Sequence, residues 1–271
     1  MTEPLRATFR KPFNAQLTAL RIRMLDLVPT SAWDDLLRGE HDRAFVVAGA
    51  TKADLLTDLA EAVEKAIAQG TTFETFKKDF RDIVERRGWH GWTGEGTRRG
   101  EEWRMRVIYQ TNLRTSYMSG RYAQLVNGNY PFWVYRHGGS LEPRPQHLAW
   151  DGLILPSDHP FWATHFPPNG WGCSCRVFGA RSREGARRLG GKPELQLEDG
   201  WDTIEPRTGT PPGLDKGWDY APGASIADLV NSLARKFEQW PDPVGRAFLA
   251  SLPDDLRDLF EAALRQSGGN S

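Results

Sequence analysis

Cysteine is nearly missing from this chain of 271 residues: there are two, Cys173 and Cys175, one residue apart. That scarcity excludes a disulfide framework, and a Cys-x-Cys loop closed on itself would be strained. Long apolar runs are missing too, and the opening "MTEPLRATFRKPFNAQL" places charges and prolines where a signal peptide needs an apolar core. The expectation is a cytoplasmic protein that makes no membrane contact. Net charge is absent as well: 35 Lys and Arg balance 35 Asp and Glu, so no global field draws nucleic acid or an anionic membrane. Neither an internal repeat nor a glycine loop with phosphate-binding spacing is present, so no nucleotide site is expected.

Tryptophan, by contrast, is abundant at 11 residues, alongside 27 glycines and 18 prolines, and these types crowd between Trp133 and Tyr220. Such a composition fits loop-rich structure ordered by aromatic packing, because an indole covers much surface at little rotamer cost.

Residues 1–50 predict one or two short helices, with Ser31 as a cap before Trp33. From Thr51 the pattern sharpens. Thr51 and Asp54 form a helix start, Leu55, Leu56, Leu59, Val63, Ala66 and Ile67 recur at helical spacing, and Gly70 stops the run. A second start, Thr71 with Glu74, leads a face of Phe73, Phe76, Phe80, Ile83 and Val84 up to Gly88. After a glycine-rich break at 89–100, one long helix is predicted up to Asn127-Gly128; its polar content and the small pair Ser119 and Gly120 imply a close partner or a span between subdomains. β-prone residues at 132–137, around Asp151-Gly152 and at Val177 and Phe178 predict a small sheet. Residues 180–223 read as an extended arm or loop outside the core, and helical spacing resumes from 224 to 266 before a fraying "SGGNS". The fold class is therefore predominantly helical α+β. It has an N-terminal segment (1–50), a central domain (51–179) holding a small mixed middle, an arm (180–223) and C-terminal helices (224–271).

The chemistry-bearing residues gather in one region: His147, Asp151, His159, His165, Cys173 and Cys175. Zinc asks for thiolate and imidazole ligands held tetrahedrally, which His147, Cys173 and Cys175 with His165 or Asp151 could supply. Beside this stands a packing reading, in which Trp150, Trp162, Phe166 and Trp171 hold the loop and the cysteines are small buried residues. The familiar zinc spacings are not met, so packing is the preferred reading and no cofactor other than that structural zinc is expected. A Cys-His nucleophile has no supporting turn in the sequence, and Asp151, Asp158 and His159 read as turn formers rather than an acid-base set, so no catalytic residue is assigned. A basic run from Lys77 to Arg121, interleaved with Trp89, Trp92 and Trp103, suits either phosphate contact and base stacking or a solvated helix face with paired charges.

Three stretches together resemble the phage Mu F-like minor head proteins, the phage head morphogenesis family. They are Glu40 to Gly91, the "YQTNLRTSYMSGRYAQL" helix from Tyr109 to Leu125, and "RPQHLAWDGLILPSDHPFWATHFPPNGWGCSCRV" from Arg144 to Val177; the trailing "GLDKGWDYAPG" from Gly213 also fits. The resemblance covers roughly residues 40–223 in the family's order. It implies a component of the virion head or procapsid, assembled in the host cytoplasm. Such a component binds portal or major capsid protein and contributes to DNA packaging or ejection, and the resemblance implies no established catalytic activity. Docking through Arg114, Tyr117 and Arg121 on the Tyr109–Leu125 helix, or through the arm, is the expected mode, with packaged DNA as a further candidate partner. The alternatives are a DNA-binding packaging factor and a nuclease or ADP-ribosyltransferase-like enzyme. Some family members carry Cys-x-x-Cys where this chain has Arg144 to His147, and a histidine where it has Gly170. Here His147 replaces one cysteine and Arg144 removes another, so a metal would need His165 to compensate.

Overall fold

The computed structural model describes residues 12–140 and 142–268. The N-terminal charges and Pro4 within residues 1–11, and residues 269–271 of the tail expected to fray, lie outside the described residues.

The amphipathic periodicity read from the sequence becomes a helical N-terminal half. Helix α1 (Asn14–Met24) is followed by a 3-10 turn (Arg38–Asp42), α2 (Ala53–Gln69), α3 (Phe73–Arg87) and α4 (Arg98–Asn127). Gly70 and Gly88 end α2 and α3 in the left-handed conformation, with φ of 64° and 58°, which glycine adopts without strain. Both expected starts shift by one residue. Helix α2 is preceded by Lys52 with no side-chain cap, and α3 by Thr72, whose hydroxyl accepts from the Thr75 N–H at 3.3 Å. No helix begins at Ser31; instead the Asp35 carboxylate accepts from the backbone N–H of Ser31 and Ala32, forming a turn. The long helix starts earlier than read, at Arg98, capped by the Thr97 hydroxyl through the Gly100 N–H.

Apolar faces of α1, α2, α3 and the first half of α4 close the first core around Phe45, Leu56, Phe76, Phe80, Met105 and Ile108. Full burial of one such side chain stabilises the fold by about 1.5–3 kcal/mol. The second core lies at the other end of α4, around Met118 and Leu125, and joins it to the sheet. That sheet is antiparallel, in the order β2-β1-β3, with β1 Phe132–Arg136 between β2 Ile154–Pro156 and β3 Arg176–Ala180. Strand alternation sends Trp133 and Tyr135 into the second core and Val134 to the opposite face, where it meets Ala180 and Ala186 of α7 (Arg183–Arg188). Short helices α5 (Pro145–Ala149) and α6 (Phe161–His165) cover the first of these faces. A third core belongs to α8 (Ile226–Phe237), α9 (Asp242–Ser251) and α10 (Asp254–Gly268), which pack with Ile22 of α1.

The polar middle of α4 is buried because its side chains bond back to their own helix. Ser116 Oγ donates to the Asn112 carbonyl at 2.7 Å, Ser119 Oγ to Thr115 at 2.9 Å and Thr115 Oγ1 to Thr111 at 2.8 Å. The close partner implied by Ser119 and Gly120 lies in the same chain: a Cβ at Gly120 would sit 2.6 Å from the backbone of Ala15 and Gln16 in α1. Residues 180–223 are loop-rich as read, but their last part is not outside the core. Leu214, Trp218, Tyr220 and Ala221 are buried, since apolar side chains between the turn-forming glycines and prolines find the bundle and sheet beneath them.

Candidate functional site

The pairing of β1 with β3 sets Arg136 opposite Arg176, so the residues just beyond each strand, Gly138 and the Cys173-Ser174-Cys175 segment, face one another. Gly138 has no Cβ where one would lie 2.1 Å from the Ser174 carbonyl oxygen, which lets the two segments approach this closely. Helix α5, opened by Pro145, carries His147 under this turn, with the imidazole stacked on Trp150 at 5.5 Å between centroids.

Within that pocket His147 Nδ1 lies 3.7 Å from Cys173 Sγ and 3.7 Å from Cys175 Sγ, and all three residues are buried. The other ring nitrogen, Nε2, lies 2.8 Å from the Gly213 carbonyl oxygen, which only accepts. The proton is therefore assigned to Nε2, leaving the Nδ1 lone pair facing the two sulfurs. Gly213 reaches this position because its φ is +84° and a Cβ would meet Gln146 and the Trp150 ring at 2.7 Å. The two thiols titrate as a pair. The contact with Cys175 holds the Cys173 thiol well below the usual range, against burial and helped by His147, and the same contact with burial pushes Cys175 up.

Among the described residues, His147, Cys173 and Cys175 are the His, Cys, Asp or Glu residues whose ligand atoms converge, all within 4.8 Å of one another. His165 is not brought into this group. It ends α6, stacked on Phe161 at 4.5 Å and edge-on to Trp150 and Trp201, with Nδ1 2.8 Å from Thr164 Oγ1. Burial, the largest cause, lowers its pKa to about 4. Asp151 is turned away as well, accepting from Arg136 Nε and the His137 N–H, both at 2.9 Å. Asp158 is exposed, and His159 Nδ1 accepts from the Phe161 N–H. Of the aromatics read as holding the loop, Trp150, Trp162 and Phe166 are buried; Trp171 is partly exposed and meets Trp33 and Trp218 edge-on.

Arg144 and Gly170 are coupled through one carboxylate. Arg144 Nη2 pairs with Asp215 Oδ2 at 2.6 Å and also donates to the Trp171 carbonyl. At Gly170 a Cβ would lie 2.2 Å from that same carboxylate oxygen and 2.9 Å from Arg144 Nη2. The ion pair fills the corner that a side chain at 170 would occupy.

On α4, Arg114 Nη1 donates to the Cys173 carbonyl at 2.8 Å and Arg121 Nε to the Val177 carbonyl at 3.1 Å, so both guanidiniums tie the helix to the segment around the site. Tyr117 is 37% exposed and lines, with Gln110, Arg114 and Arg176, a cleft of about 400 Å³ whose wall includes both cysteines. Much of the basic run is paired internally: Lys77 with Glu74, Arg86 and Arg87 with Asp58, and Arg106 with Glu102, while Arg104 donates to the Ala48 carbonyl. Trp89 and Trp92 pack on Phe80 rather than presenting faces for bases. No described helix is long and apolar enough to cross a membrane.

Residues 57–178 match the family described as Phage Mu protein F like protein. The chain is 34% identical over 243 residues to a protein of Escherichia phage Mu named "Putative capsid assembly protein F", covering 78% of this chain and 54% of that one. It is 33% identical over 232 residues to the Mu-like prophage FluMu F protein of Haemophilus influenzae, covering 76% and 56%. The chain thus spans little more than half the length of these relatives. No solved structure matches it. The family match takes in α4, β1, β2 and His147, Cys173 and Cys175, and with these relatives it shows that the chain belongs to the family of Phage Mu protein F like proteins.

Proposed function

We propose that the chain is a minor head protein that acts in capsid assembly of a Mu-like phage, as a binding component rather than an enzyme. One observation carries this: the capsid assembly protein of phage Mu matches it across 78% of its length, through the pocket and the helix that supports it. The partner is portal or major capsid protein, the setting is the procapsid in the host cytoplasm and then the virion head, and the contribution extends to DNA packaging or ejection.

Docking uses the outer side of α4. Arg114 and Arg121 spend hydrogen bonds on the carbonyls of Cys173 and Val177, so they shape that side and hold it rigid. Tyr117, standing between them with its ring against Phe13 at 5.6 Å, offers a partner an amphipathic anchor with few rotamers to freeze. Ion pairs hold Lys77, Arg86, Arg87 and Arg106, and Arg104, Arg114 and Arg121 are engaged by backbone carbonyls, which weighs against the DNA-binding alternative.

The test is complementation of a phage lacking this gene. Loss of normal heads without the protein, restored by the wild type, is the expected result; normal heads and titre without it would end the assembly reading. Tyr117→Ala should fold and yet fail to enter heads, whereas normal incorporation would move the docking surface elsewhere.

A further inference from the structure

The Cys-His pocket is built with more care than packing requires. Two buried thiols from the turn before β3 and one imidazole from α5 converge. The Gly213 carbonyl, 2.8 Å from His147 Nε2, holds the ring proton on that nitrogen, so Nδ1 faces the sulfurs with its lone pair. A carbonyl that fixes the tautomer in this way is the outer contact a metal-bound imidazole requires. The spacing is also that of shared coordination. Zinc-sulfur and zinc-nitrogen bonds of about 2.3 and 2.05 Å at a tetrahedral angle set nitrogen and sulfur roughly 3.6 Å apart, against the 3.7 Å found from His147 Nδ1 to each sulfur.

We propose that His147 Nδ1, Cys173 Sγ and Cys175 Sγ form a structural site for a thiophilic divalent ion of the zinc class. Two sulfurs and an imidazole, with no carboxylate among them, select against the hard ions magnesium and calcium. The three protein donors leave one of four tetrahedral positions to a ligand from solvent, which reaches the sulfurs through the cleft that both cysteines line beside α4. Binding displaces the thiol protons to solvent. The ion then fastens together α5, the turn before β3 and, through the Gly213 carbonyl, the loop at 213, which are otherwise joined by hydrogen bonds and ring contacts. His165 takes no part. The inference stands apart from the assembly reading, since it concerns what the fold holds and not what it docks on.

The experiment uses the full chain, made without a polyhistidine tag and purified under reducing conditions without chelator. Elemental analysis should find roughly one zinc per folded chain. Replacement by cobalt should give a thiolate-to-metal charge-transfer band in the near ultraviolet and intense tetrahedral bands in the visible. Alkylation of the two cysteines should be slow with metal bound and fast after chelation, a readout that needs no variant. Cys173→Ser, Cys175→Ser and His147→Ala should each weaken cobalt binding by more than the roughly 10–100-fold typical of outer contacts, and His165→Gln, if folded, should keep it. A folded, fully reduced wild-type chain that neither retains zinc nor develops the charge-transfer band with excess cobalt overturns the proposal. Loss of the band in a folded His165→Gln chain overturns the assigned ligand set.

Discussion

Arg23 Nη2 donates to Asn112 Oδ1 at 2.7 Å, with both residues buried where α1 crosses α4. The same guanidinium reaches Thr115 Oγ1 at 3.2 Å and the Ala44 carbonyl at 3.4 Å, and it lies 5.8 Å from the Phe45 ring centroid. A charge buried this deeply is tolerated because its donors are met, so the crossing is held by geometry that tolerates little error.

Removing the acceptor therefore costs more than removing a neutral contact. Asn112→Ala should lower unfolding free energy by about 1.5–3 kcal/mol, the range for hydrogen bonds to charged groups, while Ser119→Ala, which loses one neutral bond to the Thr115 carbonyl, should cost about 1 kcal/mol. Urea unfolding of both variants decides it; equal losses would mean that the guanidinium is not what makes the site sensitive.

Gly120 sets how near the two helices come. In Gly120→Ala the new Cβ meets the α1 backbone at 2.6 Å, and overpacking of about 1–3 kcal/mol should outweigh the roughly 1 kcal/mol of helix propensity gained. Gly185→Ala in α7, with neighbours no nearer than 3.3 Å, should be neutral or stabilising. A Gly120→Ala chain with a higher melting temperature than wild type would contradict the close crossing.

Acid should act through His41. Burial, then the charge of Arg23, depresses its pKa to about 4, partly offset by the Leu36 carbonyl and Glu40. Between about 4 and 6.5 the unfolded chain binds this proton and the folded one does not, so stability rises with pH across that window and is complete above it. Stability measured from pH 7 down to 4 should fall less steeply in His41→Gln than in wild type. Parallel slopes would assign the proton uptake to other groups.

How much of this could be read in the residues follows from how local each signal is. Helices α2, α3 and α4 show in the 3.6-residue spacing of Leu55 to Ile67 and Phe73 to Val84 and in the stops at Gly70 and Gly88. Their caps slip by one because adjacent Thr-Lys and Thr-Thr pairs offer neighbouring starts. His147, Cys173 and Cys175 stand out as residue types, but their convergence depends on the β1-β3 register and on a carbonyl 66 residues from His147, for which no local pattern exists. The burial of Trp218 and Tyr220 was hidden by surrounding turn formers, though the aromatics themselves were the sign. Arg114 and Arg121 show in the sequence only as charges along one helix; that they bond backbone carbonyls across the second core depends on how α4 packs on β3.

The position of α1 has a consequence for biosynthesis. Its partners come late: Gln16 bonds the Leu113 carbonyl 97 positions on, and Thr18 and Arg21 bond Asp255, 237 and 234 positions on. At 5–20 residues per second a ribosome needs roughly 10–50 s to reach that last helix. Through this interval Leu17, Leu20 and Ile22 wait for their complete cover. Helix α1 is thus among the last described elements to be fully enclosed, and its apolar face stays open on the nascent chain through that interval.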